Sequence, residues 1–564
     1  MMEITNQQVA GMLSFMGELL ELTGDNPFKV RAFYRAADTV DRLSRPVSVM
    51  TEKELDQIPG IGEKIAKKIR EIVETGTFNE LEELKKGVPS PLLELLKLEG
   101  IGPKTVFKLW KKMNILTIDD LEKAAKGHRI RAIKGFGAKK EEQFLRSIEL
   151  YRGQAGRMIL PDAEAVMERV STVLTPGTFE VAGSFRRGRS TIGDIDIVSK
   201  EPPSLLNPRL HNVAEEIIDE GDRRTSIRVL GKRVDIRYAK PGQFGSMLVY
   251  LTGSKPFNIK LRDIAIGRGY KLNEYGIEER ETGRLHEFST EEEMFSFLGL
   301  PVIPPEIRED WGELELALIH TLPELISLAD VRGDLHVHSD WSDGFLTLGE
   351  LAKIGEKHGY EYLLCSDHSA TLGIAHGLDV ERLKKQAQEI EQVNRGSSCH
   401  ILQGVEVDIL SDGTLGLPNH VLASLDIVIA SIHSGFNEDR DIMTRRVIGA
   451  LENEHVDIIG HPTGRLLGRR LPFEIDIGRV IERAAETGTA LECNASPIRL
   501  DLDDVNVKQA IERHVKIAVS TDMHHEEEFD NMRYGIVTAR RGWCTLRDVL
   551  NVLPMKELLE WASI

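Results

Sequence analysis

The sequence predicts a multidomain chain with an all-α front, an α+β centre and an α/β back. Three observations predict it. Residues 7–150 place apolar side chains at helical spacing between short glycine-containing turns. Residues 157–320 mix β-type runs with helices. Beyond a linker at Leu322–Arg332, seven short apolar runs alternate with amphipathic helices, the pattern of a parallel sheet or barrel. A length of 564 residues, at roughly 100–200 residues per domain, calls for about three or four folding units.

Composition narrows the class. With 41% hydrophobic and 29% charged residues the chain is neither collagenous nor largely disordered. Its apolar stretches, such as Leu425–Ile432, fall well short of the ~20 residues that span a bilayer, so no membrane association is expected. Residues 1–8 lack the basic and apolar segments of an export signal, and four cysteines without a Cys-x-x-Cys pair point to a reducing cytosol. Net charge is −18, yet residues 91–150 carry 13 basic and 8 acidic residues, a local stripe suited to a polyanion. Of 17 histidines, 13 lie after residue 331.

In the front, Val9, Met12, Leu13, Met16, Leu19 and Leu20 recur on one helical face. Three turns there resemble one another: Ile58-Pro-Gly-Ile-Gly62, Leu98-Glu-Gly-Ile-Gly102 and Ile133-Lys-Gly-Phe-Gly137. A Gly-x-Gly turn opening a helix offers backbone N–H groups to a phosphate. Ordinary helix–turn–helix connections use the same glycines. Three instances, each trailed by a lysine (Lys64, Lys104, Lys139), favour contact with a DNA backbone.

The centre carries β-type runs at Phe179–Ala182, Asp194–Ser199 and Lys232–Tyr238. Gly183-Ser184-Phe-Arg-Arg187-Gly precedes Gly193-Asp194-Ile-Asp196, and Asp235 follows in Arg-Val-Asp-Ile-Arg. Alternate strand residues face one side, so Asp194 and Asp196 present two carboxylates together. Asp235 on an adjacent strand completes a set suited to a pair of Mg²⁺ ions.

These motifs resemble the family X DNA polymerases related to polymerase beta. Tyr250-Leu-Thr-Gly253-Ser with Asn258 and Arg262 is similar to the family's nucleotide-selecting region, and Asn273-Glu-Tyr275 to a further segment. The resemblance implies that Asp194, Asp196 and Asp235 are catalytic and hold Mg²⁺ or Mn²⁺. It implies a nucleotide site at Gly183, Ser184, Arg187, Gly193, Tyr250 and Gly253, with Asn258 and Arg262 at the nascent base pair and template. The chain departs from the family at Leu251, where a phenylalanine normally follows the tyrosine and helps exclude a ribose 2′-hydroxyl. The glycine turns look like helix-hairpin-helix elements, which places Gly60, Gly62, Lys64, Gly100, Gly102, Lys104, Gly135, Gly137 and Lys139 at DNA. Lys68 falls at the family's Schiff-base lysine, with Lys29, Lys64 and Lys67 as the cations that would activate it.

In the back, the seven runs are 331–335, 360–365, 401–405, 427–431, 456–459, 489–492 and 516–520, and six lead directly into His, Asp or Glu. Functional side chains of parallel β/α folds sit at the carboxyl ends of strands. The candidates are His336, His338, Asp343, His368, Glu406, His433, His461, Asp522 and His524, a nitrogen and oxygen donor set without cysteine that suits Zn²⁺, Mn²⁺ or Fe²⁺. Arg465, Arg469 and Arg470 just beyond His461 are candidates to hold a phosphate, or an ordinary solvated charge run.

This part resembles the polymerase-and-histidinol-phosphatase (PHP) domain, a distorted (β/α)7 barrel with three divalent metals. By that resemblance one metal is held by His336, His338, Glu406 and Asp522, a second by Glu406, His433 and His461, and a third by Asp343, His368 and His524. The resemblance divides the chain into a lyase-type DNA-binding domain (1–90), helix-hairpin-helix fingers (91–155), a nucleotidyltransferase palm (156–240), a thumb (241–320), a linker (321–331) and the PHP phosphoesterase (332–564). It implies a cytoplasmic, monomeric enzyme that fills gapped or nicked DNA with dNTPs, and degrades DNA 3′ to 5′ in base excision or gap repair, with AP endonuclease activity a further possibility. The alternatives are a repair nuclease with weak polymerase activity, a DNA-end-binding scaffold, and a small-molecule phosphatase in the barrel.

Overall fold

The computed structural model describes residues 4–563 apart from 42, 44, 99, 100, 134, 155 and 372–374. The chain folds as two units, residues 1–155 with 468–471, and residues 156–467 with 472–564.

The first unit is helical, as its periodicity predicts. Its first helix, Asn6–Thr23, starts at a capping box in which Thr5 and Gln8 satisfy each other's backbone, and stops at left-handed Gly24. Gly62 and Gly102 are the N-cap residues of Glu63–Thr75 and Pro103–Met113, and Ala138–Gln154 opens immediately after Gly137. One apolar cluster runs from Val9 and Leu20 through Ile69 and Leu109 to Phe144 and Ile148. The boundary expected at 90/91 falls inside the helix Ser90–Leu95.

The second unit holds three sheets. The first comprises β1 (Phe179–Val181), β2 (Ile195–Ser199), β3 (Glu216–Glu220), β4 (Arg224–Val229) and β5 (Lys232–Tyr238), in the order β1-β2-β5-β4-β3. β2 and β5 run parallel, and the other pairs are antiparallel. The edge strand β3 is exposed at every position, which is why it shows no apolar alternation in the sequence. A smaller antiparallel sheet follows, of β6 (Tyr270–Asn273), β7 (Gly276–Glu279) and β8 (Leu285–His286).

The third sheet is the expected barrel. Its strands are β9 (Gly333–Val337), β10 (Tyr362–Cys365), β11 (His400–Asp408), β12 (Ile427–Ser431), β13 (Ile458–Ile459), β14 (Ala490–Asn494) and β15 (Ile517–Ser520). They pair in sequence order and all in parallel. Asp522 donates its N–H to the His336 carbonyl at 2.9 Å, and His338 donates to the Met523 carbonyl at 3.0 Å, so the two edge strands nearly close the barrel at their carboxyl ends. Every strand but β11 is buried along its whole length, as a sheet covered on both faces requires, and β11 departs from this only at His400 and Gln403. Among the described residues no helix is long and apolar enough to cross a membrane.

Two candidate active centres

The first centre forms where β2 and β5 lie side by side. Their register sets Asp196 directly opposite Asp235, and Asp194 immediately precedes β2. The turn 183–187 is tied to this strand by the Ala182 N–H, which donates to the Asp196 carbonyl at 2.8 Å. Gly183 has φ +62°, and a Cβ there would stand 2.2 Å from Asp196 Oδ2, so only glycine lets the turn approach this carboxylate. Burial, with the Asp194 and Asp235 carboxylates, pushes Asp196 up to about 7. Asp235 accepts hydrogen bonds from Ser226 Oγ and, at 3.0 Å, from Arg233 Nε.

The other expected nucleotide residues converge on the same region. Asn258 donates Nδ2 to the Tyr250 carbonyl at 2.7 Å, while its buried Oδ1 finds no hydrogen-bond partner among the described residues. The Arg262 guanidinium lies 5.6 Å from the centre of the Tyr250 ring. A Cβ on Gly253 would sit 3.4 Å from Arg187 Nη1 and 3.8 Å from Asn258 Nδ2, which places all three around one corner. Arg187 itself donates to the Thr252 carbonyl and, through Nε at 3.1 Å, to Glu309. Leu251 packs beside the buried cluster of Phe244, Met247 and Leu248.

The second centre lies at the carboxyl ends of the barrel strands. β9 extends two residues beyond the expected run, so His336 stands within it and His338 just past it. His368, His433, His461 and the pair Asp522 and His524 follow β10, β12, β13 and β15, and Glu406 stands in β11. His461 and Asp522 adopt φ values of 25° and 54°, strained for non-glycine residues.

Glu406 is the hub. Its Oε1 lies 3.0 Å from His461 Nε2 and 3.1 Å from His433 Nε2, and its Oε2 lies 2.9 Å from His368 Nδ1 and 3.5 Å from His336 Nε2. His338 Nε2 approaches Asp522 Oδ1 at 3.2 Å, and Asp343 lies 3.5 Å from His524 and 3.6 Å from His368. His336 Nε2, both ring nitrogens of His338, His368 Nδ1 and Glu406 Oε2 are buried yet make no well-formed hydrogen bond. Orphaned donor atoms converging from several strands are what a cation site needs, so these residues fit one. Three groups have donor atoms within 4.8 Å of one another: His338, Asp343, His368 and His524; His336, His338 and Asp522; and His368, Glu406 and His433. His338 and His368 therefore each serve two groups, where the resemblance gave them one metal each, because both rings stand between neighbouring clusters. Among the described residues the carboxylates of the first centre form no such group.

Three further acids support these ligands, and the sequence reading did not single them out. Glu492, in β14 and wholly buried, accepts from His336 Nδ1 at 2.7 Å, Ser520 Oγ at 2.5 Å and the His461 backbone N–H. Asp408 meets His433 Nδ1 at 2.8 Å. Asp367 holds the loop leading to Asp343 through Ser339 and Ser342, each at 2.5 Å. Strand-end acids next to recognised ligands were the available signal, since a ligating imidazole usually gives its other nitrogen to a carboxylate. Burial opposes charge on His433, yet Glu406 and Asp408 hold it up at about 10. Burial and the neighbouring His524 and His368 drive His338 down to about 4.

The Arg465 guanidinium, a candidate for a phosphate, is engaged within the chain. It is spent on the Arg499 carbonyl at 2.8 Å, the Leu500 carbonyl and Asp503 at 3.3 Å, which brace a loop.

In the first unit, Gly60 and Gly135 adopt left-handed backbone at φ +100° and +94° in matching turns. Gly62, Gly137, Lys64 and Lys139 are exposed at the helix starts, whereas Gly100 lies outside the described residues. Lys104 is largely exposed and pairs with Glu21 at 3.2 Å. Lys68 is ion-paired with Glu80, which also takes Lys29 at 2.9 Å. An anion therefore stands between the lysines where the sequence suggested a purely cationic surrounding.

Residues 4–78 match the family model described as helix-hairpin-helix domain, 92–148 the SAM-like helix-hairpin-helix tandem, and 247–309 the DNA polymerase beta thumb. The chain is 41% identical to the DNA polymerase/3'-5' exonuclease PolX of Bacillus subtilis (strain 168), covering 98% of each chain. It is 26% identical to the DNA polymerase lambda of Rattus norvegicus over 54% of this chain and 56% of the relative. A protein of Thermoanaerobacter sp. (strain X514) named as a probable phosphatase matches at 34% identity, over 40% of this chain and 94% of its own length. With identity at that level across nearly its whole length, the chain belongs to the family X DNA polymerases that carry a C-terminal PHP domain.

Proposed function

We propose that the chain is a template-directed DNA polymerase that fills gaps in nicked or gapped DNA with dNTPs, and that its barrel is a 3′→5′ exonuclease acting on the same DNA. The observation that carries the reading is the pairing of two chemically different centres in one chain, a carboxylate set beside a glycine turn and an imidazole-rich set at the barrel mouth. Near full-length similarity to a relative named for both activities supports it.

Asp194, Asp196 and Asp235 would hold Mg²⁺ or Mn²⁺, and the nine barrel ligands three ions of Mn²⁺, Zn²⁺ or Fe²⁺. Such cations, when bound, supply Lewis-acid polarisation of phosphoryl oxygens and make an attacking oxygen easier to deprotonate. The chain's own residues do the rest. Gly183, Ser184, Arg187 and Gly193 receive the triphosphate, and Tyr250, Gly253, Asn258 and Arg262 frame the base pair. Ser226 and Arg233 fix the Asp235 carboxylate in position. In the barrel, Glu492 and Asp408 fix the ring orientation of His336 and His433, leaving the opposite nitrogens facing inward. The glycine turns with Lys64, Lys104 and Lys139 grip the DNA backbone without reading sequence. We assign the protein to cytosolic gap repair as a monomer. Lys68 would serve as a lyase nucleophile only once freed from Glu80.

The experiment is a 5′-labelled duplex with a single-nucleotide gap, incubated with Mg²⁺ or Mn²⁺, with and without dNTPs. Asp194→Ala should abolish extension and retain degradation, and Glu406→Ala should do the reverse. Degradation that survives Glu406→Ala would remove the nuclease from the barrel.

A further inference from the structure

The turn that bears Arg187 rests on the barrel. Gly188, at φ +64°, approaches the barrel helix Met532–Arg541 so closely that a Cβ would stand 2.2 Å from Val537 Cγ1. Arg541, the last residue of that helix, is 1% exposed. It donates Nη1 to the Arg187 carbonyl at 2.7 Å and Nε to Asp504 at 2.8 Å. Its Nη2 reaches Glu309 Oε1 at 2.9 Å, the same oxygen that accepts Arg187 Nε at 3.1 Å. The side chains of Arg187 and Glu309 are 13% and 10% exposed, so this carboxylate is shared by two arginines in a poorly hydrated place. Arg189 stands farther off, 3.7 Å from Glu309.

A swing of the Arg187 guanidinium towards a triphosphate withdraws its Nε from Glu309, its one hydrogen bond to that carboxylate. Stranding a mostly buried carboxylate without a cation is costly, and that cost would hold Arg187 where it is. We propose that Arg541, although carried by the barrel, is a positioning residue of the polymerase centre: it keeps Glu309 paired, and so releases Arg187 for the incoming nucleotide. The inference rests on the reading of Arg187 as a triphosphate contact.

The test is steady-state single-nucleotide insertion on the gapped duplex by the full chain, with Tm recorded for every variant. Arg541→Gln should raise KM for dNTP roughly tenfold, about the effect of one charge-assisted hydrogen bond, while kcat and 3′→5′ degradation change little. Adding Glu309→Gln to that variant should return KM towards wild type, because no carboxylate is then left to trap Arg187. A simple brace between domains predicts no such rescue. Unchanged KM in Arg541→Gln, or no rescue in a double variant of normal Tm, would overturn the proposal. Arg187→Ala runs beside them: if it leaves KM for dNTP unchanged, the reading of Arg187 fails instead. Should Arg541→Gln not fold, Glu309→Gln alone decides, since the proposal expects KM at or below the wild-type value and a rise contradicts it.

Discussion

The palm and the barrel both bring carboxylates to parallel strands, yet they manage the resulting charge in opposite ways. In the palm, burial together with the Asp194 and Asp235 carboxylates outweighs Arg237 and Arg187 at Asp196, whose carboxyl is pushed up to about 7. In the barrel, Glu406 is ringed by five imidazoles and held well below the usual carboxylate range, although burial pushes the other way. A set of acids alone gains most from cations that arrive with a phosphate-bearing substrate. A buried set of acids and imidazoles, with a second layer of Glu492 and Asp408, is organised before any substrate arrives. One chain thus holds one centre suited to transient cations and one suited to resident ones.

The comparison breaks most sharply under crosswise substitution. Asp194→Asn should lower gap filling by about 1,000-fold or more, the scale on which electrostatic stabilisation at a reacting phosphoryl group is lost, with degradation within a few-fold of wild type. Glu406→Gln should invert that pattern, measured on the same labelled duplex. Glu492→Ala, which removes the acceptor of His336 Nδ1, should weaken cation affinity of the barrel about 10–100-fold in a titration followed by calorimetry, with extension unchanged.

A smaller effect separates the centres by pH. The folded Asp196 carboxyl titrates near 7 rather than near 3.8, so it keeps its proton longer in the native state than in the unfolded chain. Its contribution to stability is full below about pH 4 and is lost as pH rises to about 7. Asp196→Asn should therefore raise the Tm in EDTA at pH 8, by on the order of 1–3 kcal/mol of stability, and flatten the Tm profile between about pH 4 and 7. A Tm that falls in that variant would mean that burial and the neighbouring carboxylates do not disfavour the charged form of Asp196. The smallest effect belongs to Asp408→Asn, which keeps an acceptor for His433 Nδ1 and should cost the barrel only about a few-fold in cation affinity.

Local chemistry was legible in the sequence wherever it was local. The seven apolar runs foretell all seven barrel strands because a strand buried on both faces leaves a continuous apolar stretch. His336 and His338 at i, i+2 do reach a common neighbour, Glu406, at 3.5 and 3.8 Å. The strand β3 stayed hidden because its five residues are all exposed and carry no period. Glu492 and Asp408 looked like ordinary strand residues, since their role depends on which ring nitrogen a partner far along the chain turns towards them. The network of Arg187, Glu309, Asp504 and Arg541 joins positions more than 350 residues apart, and no pattern in the sequence links them.

The most direct test of the contrast between the two centres is the metal content of the full chain after gel filtration in cation-free buffer, by elemental analysis. Wild type and Asp194→Asn should retain the same divalent ions per chain, and Glu406→Gln should lose most of them. Ions lost on Asp194→Asn, or kept on Glu406→Gln, would contradict a resident cation centre in the barrel and a transient one in the palm.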